Sequence, residues 1–405
     1  MMHEWAGSNW GRLLAGMGLW LAMGWGAVQA APASVVPASA VEAGTGGEDR
    51  IVVTDVLGRQ VEIRLPVRRI ILEEARQAYA VAMLEGARPF ERIVGWGGDL
   101  EQADPATYTQ YLKIFPEIRE IPVLGRLADA SFNLERAVAL RPDVLFLNME
   151  TARIADDARY LETLDSLGIP VVYVDFRHHP ERNTEPSLRL FGDILGQRAR
   201  TEDFIAFRAR ERARVTERLA QADVTQPRVF IERMGGFAEE CCYSFGDENM
   251  GHYVEMAGGH NLAAEVLPGT FGQLSPEQVL AMSPDVVLVT SADWSAFRPD
   301  GDWIPVGPGA DAVRARQALA RYLDKSAYSG SPAVAQRRFY AIWHQFYNSP
   351  YDFVAVQQLA KWLHPALFED LDVDETFRTL HARFLPVPYA PGYFAALEGE
   401  HDHAH

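Results

Sequence analysis

Two adjacent cysteines, Cys241 and Cys242, are the chain's whole thiol complement. They lie in MGGFAEECCYSFGDENMGHYVEMAGGHN, where glycines at 235, 236 and 246 mark a loop ahead of a helix starting near Asn249. In an oxidising compartment such a pair can close a ring and form a rigid, apolar turn; two free buried thiols are the alternative. The two-residue spacer of a thioredoxin-like redox site is missing, and two thiols cannot build a four-thiolate zinc site or a disulfide-stapled scaffold. The other residues able to do chemistry follow short β-rich runs. They are Trp96 after RIVG, Arg126 after IPVLG, Met149 and Glu150 after DVLFLN, and Arg177 after VVYVDF. Further along come Arg233 after RVFIE, Ser291 and Trp294 after DVVLVT, and Trp343 to Tyr347 after RRFYAI, with Trp343, His344 and Tyr347 the foremost. Guanidinium groups pair with ligand oxygens and aromatic faces cover flat ligand arms, so these residues facing one cleft would suit a large, oxygen-rich, often anionic chelate. With Cys241 and Cys242 at the cleft wall, they are the candidate ligand-binding set.

His178-His179 can also reach a cleft, but no helix carries HExxH and no three ligands have zinc spacing. His401, His403 and His405 at the C-terminus could hold a divalent metal loosely, or simply form a solvated end. The chain has no GxSxG elbow, Walker loop or dinucleotide fingerprint, and GWGGD (95–99) is only superficially glycine-rich. The reading is a binding protein, not an enzyme, with no tightly bound cofactor and no resident metal.

The elements that must position these residues alternate. After IVVTDVLGRQVEI, a hairpin turning at Gly58, come RRIIL, RIVGW, IPVLG, DVLFLN and IPVVYVDF, separated by helical-length polar stretches. Strands alternating with helices imply parallel pairing and an α/β sheet, with ligands beyond the carboxyl ends of the strands. The rhythm breaks near Thr184. Residues 201–222 hold no Gly or Pro and place Phe204, Ile205, Phe207, Val215 and Leu219 opposite a face dense in Arg and Glu, a helical rod. Alternation resumes with RVFIERM, DVVLVTS and RRFYAIW. There is also an internal echo, since NLERAVALRPDVLFLN (133–148) aligns without a gap to SPEQVLAMSPDVVLVT (275–290), matching Glu135 to Glu277 and Pro142-Asp143-Val144 to Pro284-Asp285-Val286. Each copy predicts a capped helix, a Pro-Asp turn and a buried strand. The predicted organisation is an N-terminal lobe over 49–183, a linking helix region over 184–224, a C-terminal lobe over 225–390 and a His-rich tail from 391.

Acidic residues outnumber basic ones 55 to 38, a net charge of −17, which repels phosphate backbones and anionic lipid and argues against nucleic-acid or membrane-surface binding. At the N-terminus, Arg12 precedes an uncharged run from Leu13 to Val28, and small residues at Val28 and Ala30 fit signal-peptidase cleavage before Ala31. No cysteine stands at that point, so the expectation is an exported periplasmic protein without a lipid anchor, its leader (31–48) disordered.

The opening TDVLGRQVEI, the paired helix–strand phrases and the isolated rod together resemble type III periplasmic substrate-binding proteins of ABC importers. The likeness covers nearly the whole mature chain. It implies two Rossmann-like lobes with mainly parallel sheets, joined by one long backbone helix, and cargo such as a ferric siderophore, cobalamin or haem. WHQFYNSPYDFVAVQQLAKWLHP (343–365) looks like the iron-complex branch, so a ferric siderophore is the expected ligand. Cobalamin, haem or a metal oxyanion are alternatives within the class; an exported redox enzyme or metallochaperone using Cys241-Cys242 is the rival outside it. The resemblance further implies that one surface glutamate per lobe, here Glu135 and Glu277, docks a monomeric binding protein onto the arginine pockets of a permease dimer in the inner membrane.

Overall fold

The computed structural model describes residues 49–237 and 241–397. The expected signal peptide, the leader and the histidines at 401, 403 and 405 lie outside the described residues. The first strands, β1 (Arg50–Thr54) and β2 (Gln60–Arg64), pair antiparallel. Their turn passes through Gly58 at φ +78°, which glycine adopts without steric penalty. Asp55 closes it, its Oδ1 accepting the Leu57 and Arg59 amides at 3.0 Å each.

In the first half β3 (Ile70–Leu72), β4 (Ile93–Trp96), β5 (Val144–Asn148) and β6 (Val171–Val174) form one parallel sheet in the order β4-β3-β5-β6. β5 and β6 are buried at every position, as an apolar run covered on both faces must be. IPVLG is the exception among the predicted strands: Pro122 removes a donor, Gly125 sits at φ +77°, and only a Trp96–Val123 bridge forms. The second half holds β7 (Arg228–Glu232), β8 (Tyr243–Phe245), β9 (His260–Asn261), β10 (Phe271–Gln273), β11 (Val286–Ser291), β12 (Phe339–Trp343) and β13 (Phe394–Ala396). Its main sheet runs β13-β12-β11-β7-β9 and is parallel except for β13, while β8 and β10 make a separate hairpin. Residues 391–397, assigned to the tail from sequence, are therefore part of the fold. Tyr393, Ala395 and Leu397 are buried, and β13 closes the edge of β12.

Six helices matter for the site: α1 (Leu134–Ala139), α2 (Pro180–Leu195), α3 (Arg198–Ala220), α4 (Met250–Met256), α5 (Pro276–Met282) and α6 (Asp352–Leu363). The region predicted as one linking helix is two. α2 ends at Gly196 in the left-handed conformation, and α3 then runs 23 residues, about 35 Å. The apolar stripe of α3 packs as expected, with Phe204 and Phe207 meeting Phe353 of α6 and Phe384 at ring separations of 5.3 to 6.4 Å. Its charged face is not wholly solvated. Arg208 is buried, and its Nε and Nη2 donate to Asp352 of α6 at 2.7 and 2.8 Å. One apolar cluster runs through the first half, the strut and the second half, with Tyr79 and Trp343 in direct ring contact at 6.0 Å.

The internal echo is structural. Asn133 caps α1 by accepting the Arg136 amide, and Ser275 caps α5 with a capping box to Gln278. Arg141 and Ser283, equivalent in the alignment, sit at φ +47° and +48°, and each Pro-Asp that follows aims its carboxylate at the entry to the neighbouring strand. Asp143 Oδ2 accepts from the Arg68 and Arg69 amides ahead of β3, and Asp285 Oδ2 from the Arg228 amide that opens β7. Glu135 and Glu277 occupy the second position of these matching helices, and both are exposed.

Candidate functional site

The carboxyl ends of both parallel sheets face one another, and the loops leaving them interlock through buried and half-buried charged groups. From β3 come Glu74 and Arg76; from β5, Asn148 and Glu150; from β6, Arg177. From the second half come Arg233 after β7 and Trp343 to Asn348 after β12. Glu74 is the hub. Its carboxylate pairs with Arg76 at 2.7 Å and Arg177 at 2.9 Å, and accepts from Asn148 and, across the halves, from Asn348. Arg76 also donates to Asp99 Oδ2 at 2.8 Å, to Gln345 Oε1 at 2.9 Å and to the Tyr347 hydroxyl at 3.1 Å. Arg177 is held by Glu150 and reaches the same hydroxyl at 3.4 Å.

Tyr347 thus lies among guanidinium groups. Burial pushes its phenol up, but Arg76 and Arg177, with a smaller contribution from Arg233, outweigh that and hold it at about 8. The adjacent His344, whose ring centroid is 4.3 Å away, shares a hydrogen bond with Thr290 Oγ1 at 2.9 Å. Burial first, then Arg233, Arg76 and Arg177, drive it well below the usual histidine range, so it is neutral at pH 7. For Glu74, burial raises the carboxyl while Arg177 and Arg76 pull it to about 2, so it stays ionised.

Arg233 differs from the other two arginines. It packs over Phe271 and Phe245, 4.3 and 5.7 Å from their centroids, and has no carboxylate within ion-pair distance among the described residues. Its Nε is buried without an acceptor there, as is Trp294 Nε1, whose ring meets His344 edge-on at 5.4 Å. Burial first, with Arg177 and Arg76 adding to it against the opposing effect of Tyr347, lowers this guanidinium's basicity. A half-buried cation whose buried Nε lacks an acceptor, and a buried indole N–H that lacks one too among the described residues, stand beside a neutral histidine and form a site that favours anionic oxygen.

Of the residues singled out from sequence, Glu150, Arg177, Arg233, Trp294, His344 and Tyr347 come together here. Arg126 stands at the rim, partly exposed and 3.7 Å from Asp129. Trp96 is core, packed on Phe90 at 6.2 Å. Ser291 is a buried brace, its Oγ donating to Gly235 O and accepting the Ile304 amide. Trp343 fills the seam between Tyr79, Phe346 and Tyr393, its Nε1 without an acceptor among the described residues. Cys241 and Cys242 form a vicinal disulfide across a cis peptide bond. Cys241 lines an outer cavity of about 750 Å³ with Gln273 to Pro276 and Lys325 to Ala327, which includes none of the guanidinium groups. A second, of about 820 Å³, lies between β2 and β6, also apart from them. A smaller one of about 290 Å³ opens between the halves, with Asp104 to Ala106 on one side and Asp293 and Pro305 to Asp311 on the other. Glu74, Arg76, Asp99 and Asn348 were missed from sequence. The strand-end rule, applied to RRIIL as to the other strands, points to the segment EEAR (73–76), though not to which of its two acids meets the arginines.

The family described as periplasmic binding protein matches residues 103–345. Among curated proteins, the molybdate-binding protein MolA of Haemophilus influenzae is 23% identical over 367 residues, 85% of this chain and 93% of its own length. A cobalamin-binding protein of Halobacterium salinarum is 29% identical over 192 residues, 46% of this chain and 48% of its own. Among solved structures, the TroA-like periplasmic binding protein FepB from Veillonella parvula superposes with a TM-score of 0.77 at 24% identity, covering 86% of this chain and 99% of that one. Molybdate-bound MolA of H. influenzae gives 0.64 at 20% identity, covering 84% and 99%.

Proposed function

The chain belongs to the periplasmic binding protein family, and on that premise we propose that it captures a compact, metal-bearing oxyanion between its two halves and delivers it to an ABC permease. The observation that carries this reading is Arg233, a half-buried guanidinium whose buried Nε has no acceptor and which has no carboxylate partner among the described residues, beside two arginines already neutralised by Glu74, Asp99 and Glu150. A small anion can take the place of the Tyr347 hydroxyl as acceptor for Arg76 and Arg177 while also meeting Arg233. A bulky chelate would instead have to part Arg76 from Gln345 and Glu74 from Asn348, contacts that join the halves directly. The curated relative that covers most of this chain carries molybdate in its name, which supports the same reading. The oxyanion is cargo, released intact, and no resident cofactor is needed. Export through a cleaved signal peptide, and docking through Glu135 and Glu277, belong to the same proposal.

The ferric siderophore expected from the sequence is the second reading. It is favoured by the aromatic surface beside the site, where Phe271 and Phe297, each about 40% exposed, stand next to Phe245 and Phe237 and could cover flat chelating arms. A tryptophan-fluorescence titration separates the readings, using molybdate, tungstate, phosphate, ferric catecholates and hydroxamates, haem and cobalamin. Molybdate or tungstate should quench at submicromolar concentration. Arg233→Met should weaken that binding by roughly 10- to 100-fold, the value of one or two charge-assisted hydrogen bonds, without lowering Tm. Quenching by a ferric chelate alone would replace the oxyanion with the siderophore.

A further inference from the structure

We infer that Asn249 is a positioning residue that clamps the two halves shut at the site. It precedes α4, where an asparagine ordinarily accepts an amide of its own helix, yet its side chain makes no such cap. Instead, Nδ2 donates to the backbone carbonyl of Arg177, in the first half, and to that of Tyr347, in the second, at 2.8 Å for the latter. Both hydrogens of one amide are thus spent on the carbonyls of the two residues that share the central hydroxyl contact, and the side chain is wholly buried.

The backbone points the same way. Asn249 stands at φ +54°, ψ −123°, a conformation rarely held by a residue with a Cβ unless its surroundings impose it. An asparagine is the side chain this position needs. It tolerates positive φ better than most, is short enough to stay beside its own backbone, and offers two donors and no charge. An aspartate would present oxygen to two carbonyl oxygens, and a glycine would present nothing. The neighbours reinforce the join, with Glu248 accepting from Thr270 Oγ1 at 2.8 Å and lying 2.7 Å from His179 Nδ1 of the first half. Because Asn249 can hold the Arg177 carbonyl only while the halves are together, it links closure to the placing of Arg177. The consequence for cargo rests on the oxyanion reading above, but the clamp itself does not.

The test uses the full mature protein and two variants. Asn249→Asp keeps the shape and swaps donors for acceptors; Asn249→Gly removes the side chain and relieves the backbone. Spin labels at Leu167→Cys and Val313→Cys, exposed positions on opposite halves, report the interlobe distance by pulsed electron resonance. Both variants should shift the distribution to longer distances, and molybdate release followed by stopped-flow fluorescence should quicken by about tenfold, with association little changed. Asn249→Gly should do this without losing Tm, which a helix-capping role would not produce. Wild-type distances in both variants, or a fall in Tm with no change in distance, would overturn the clamp. A wild type that binds no molybdate defeats the cargo reading, while the distance measurement still decides the clamp.

Discussion

Glu73 and Glu74 are neighbours in sequence with opposite protonation behaviour. Glu74 faces two guanidinium groups and stays ionised, whereas Glu73 turns to the Leu127 amide, which donates to its Oε1 at 2.7 Å. Burial outweighs that bond and lifts the Glu73 carboxyl from 4.5 to about 7. The folded chain therefore holds a proton that the unfolded chain releases between those values. Stability from this group is full below about pH 4.5 and lost as the pH rises to 7, a difference of about 3 kcal/mol. Glu73→Gln keeps the acceptor and removes the ionisation. It should raise stability at pH 8 by up to that amount and leave it unchanged near pH 4.5, as read from denaturant unfolding at the two pH values. An equal effect at both would show that the carboxyl is not held neutral. Nothing in RRIILEEAR distinguishes the two acids. Which of them meets arginine depends on loops about fifty and one hundred residues downstream, the first carrying Leu127 and the second Arg177.

At the scale of elements, the strut shows the same division. The apolar spacing of Phe204, Phe207 and Val215 made α3 legible as a helix with one buried face. Arg208, inside the run FRARERARV, is one of several arginines on the face dense in Arg and Glu, with nothing in the run to set it apart. Its burial follows from α6 presenting Asp352 at the place where the charged face of α3 meets it, with Glu185 of α2 at 3.1 Å on the other side. Removing one partner of a buried ion pair leaves an uncompensated charge, whereas replacing both with apolar groups of similar size is often neutral. Arg208→Met alone should cost about 3–5 kcal/mol, and Arg208→Met with Asp352→Leu should recover most of it, in urea unfolding followed by circular dichroism. If the double variant is as unstable as the single, the pair is not what ties strut to second half. The Pro-Asp turns were legible for a different reason. Each works within one helix–turn–strand unit and differs only in which strand entry its carboxylate meets, Arg68 and Arg69 or Arg228.

For the whole molecule, the matched glutamates extend the repeat into a pattern of surface charge. Glu135 and Glu277 project from equivalent first turns of α1 and α5, where the helix N-terminus favours an anion. If they dock onto the permease, Glu135→Ala and Glu277→Ala should each reduce transport in reconstituted vesicles about tenfold or more and leave cargo affinity unchanged. Loss of affinity, or full transport by the double variant, would rule the docking role out. The sequence by itself determined the α/β class, the hairpin, the strut, the repeat and the strand ends that carry the site, because each is written in local periodicity, caps and turns. Tertiary structure alone decided that Glu74 and Arg76 stand at the centre, that Trp96 and Ser291 serve the core, that Cys241 lines an outer cavity while Cys242 is buried, and that residues 391–397 complete a sheet. Those outcomes turn on which distant side chain supplies the partner for a buried charge or the cover for an apolar face, and separation along the chain carries no record of that.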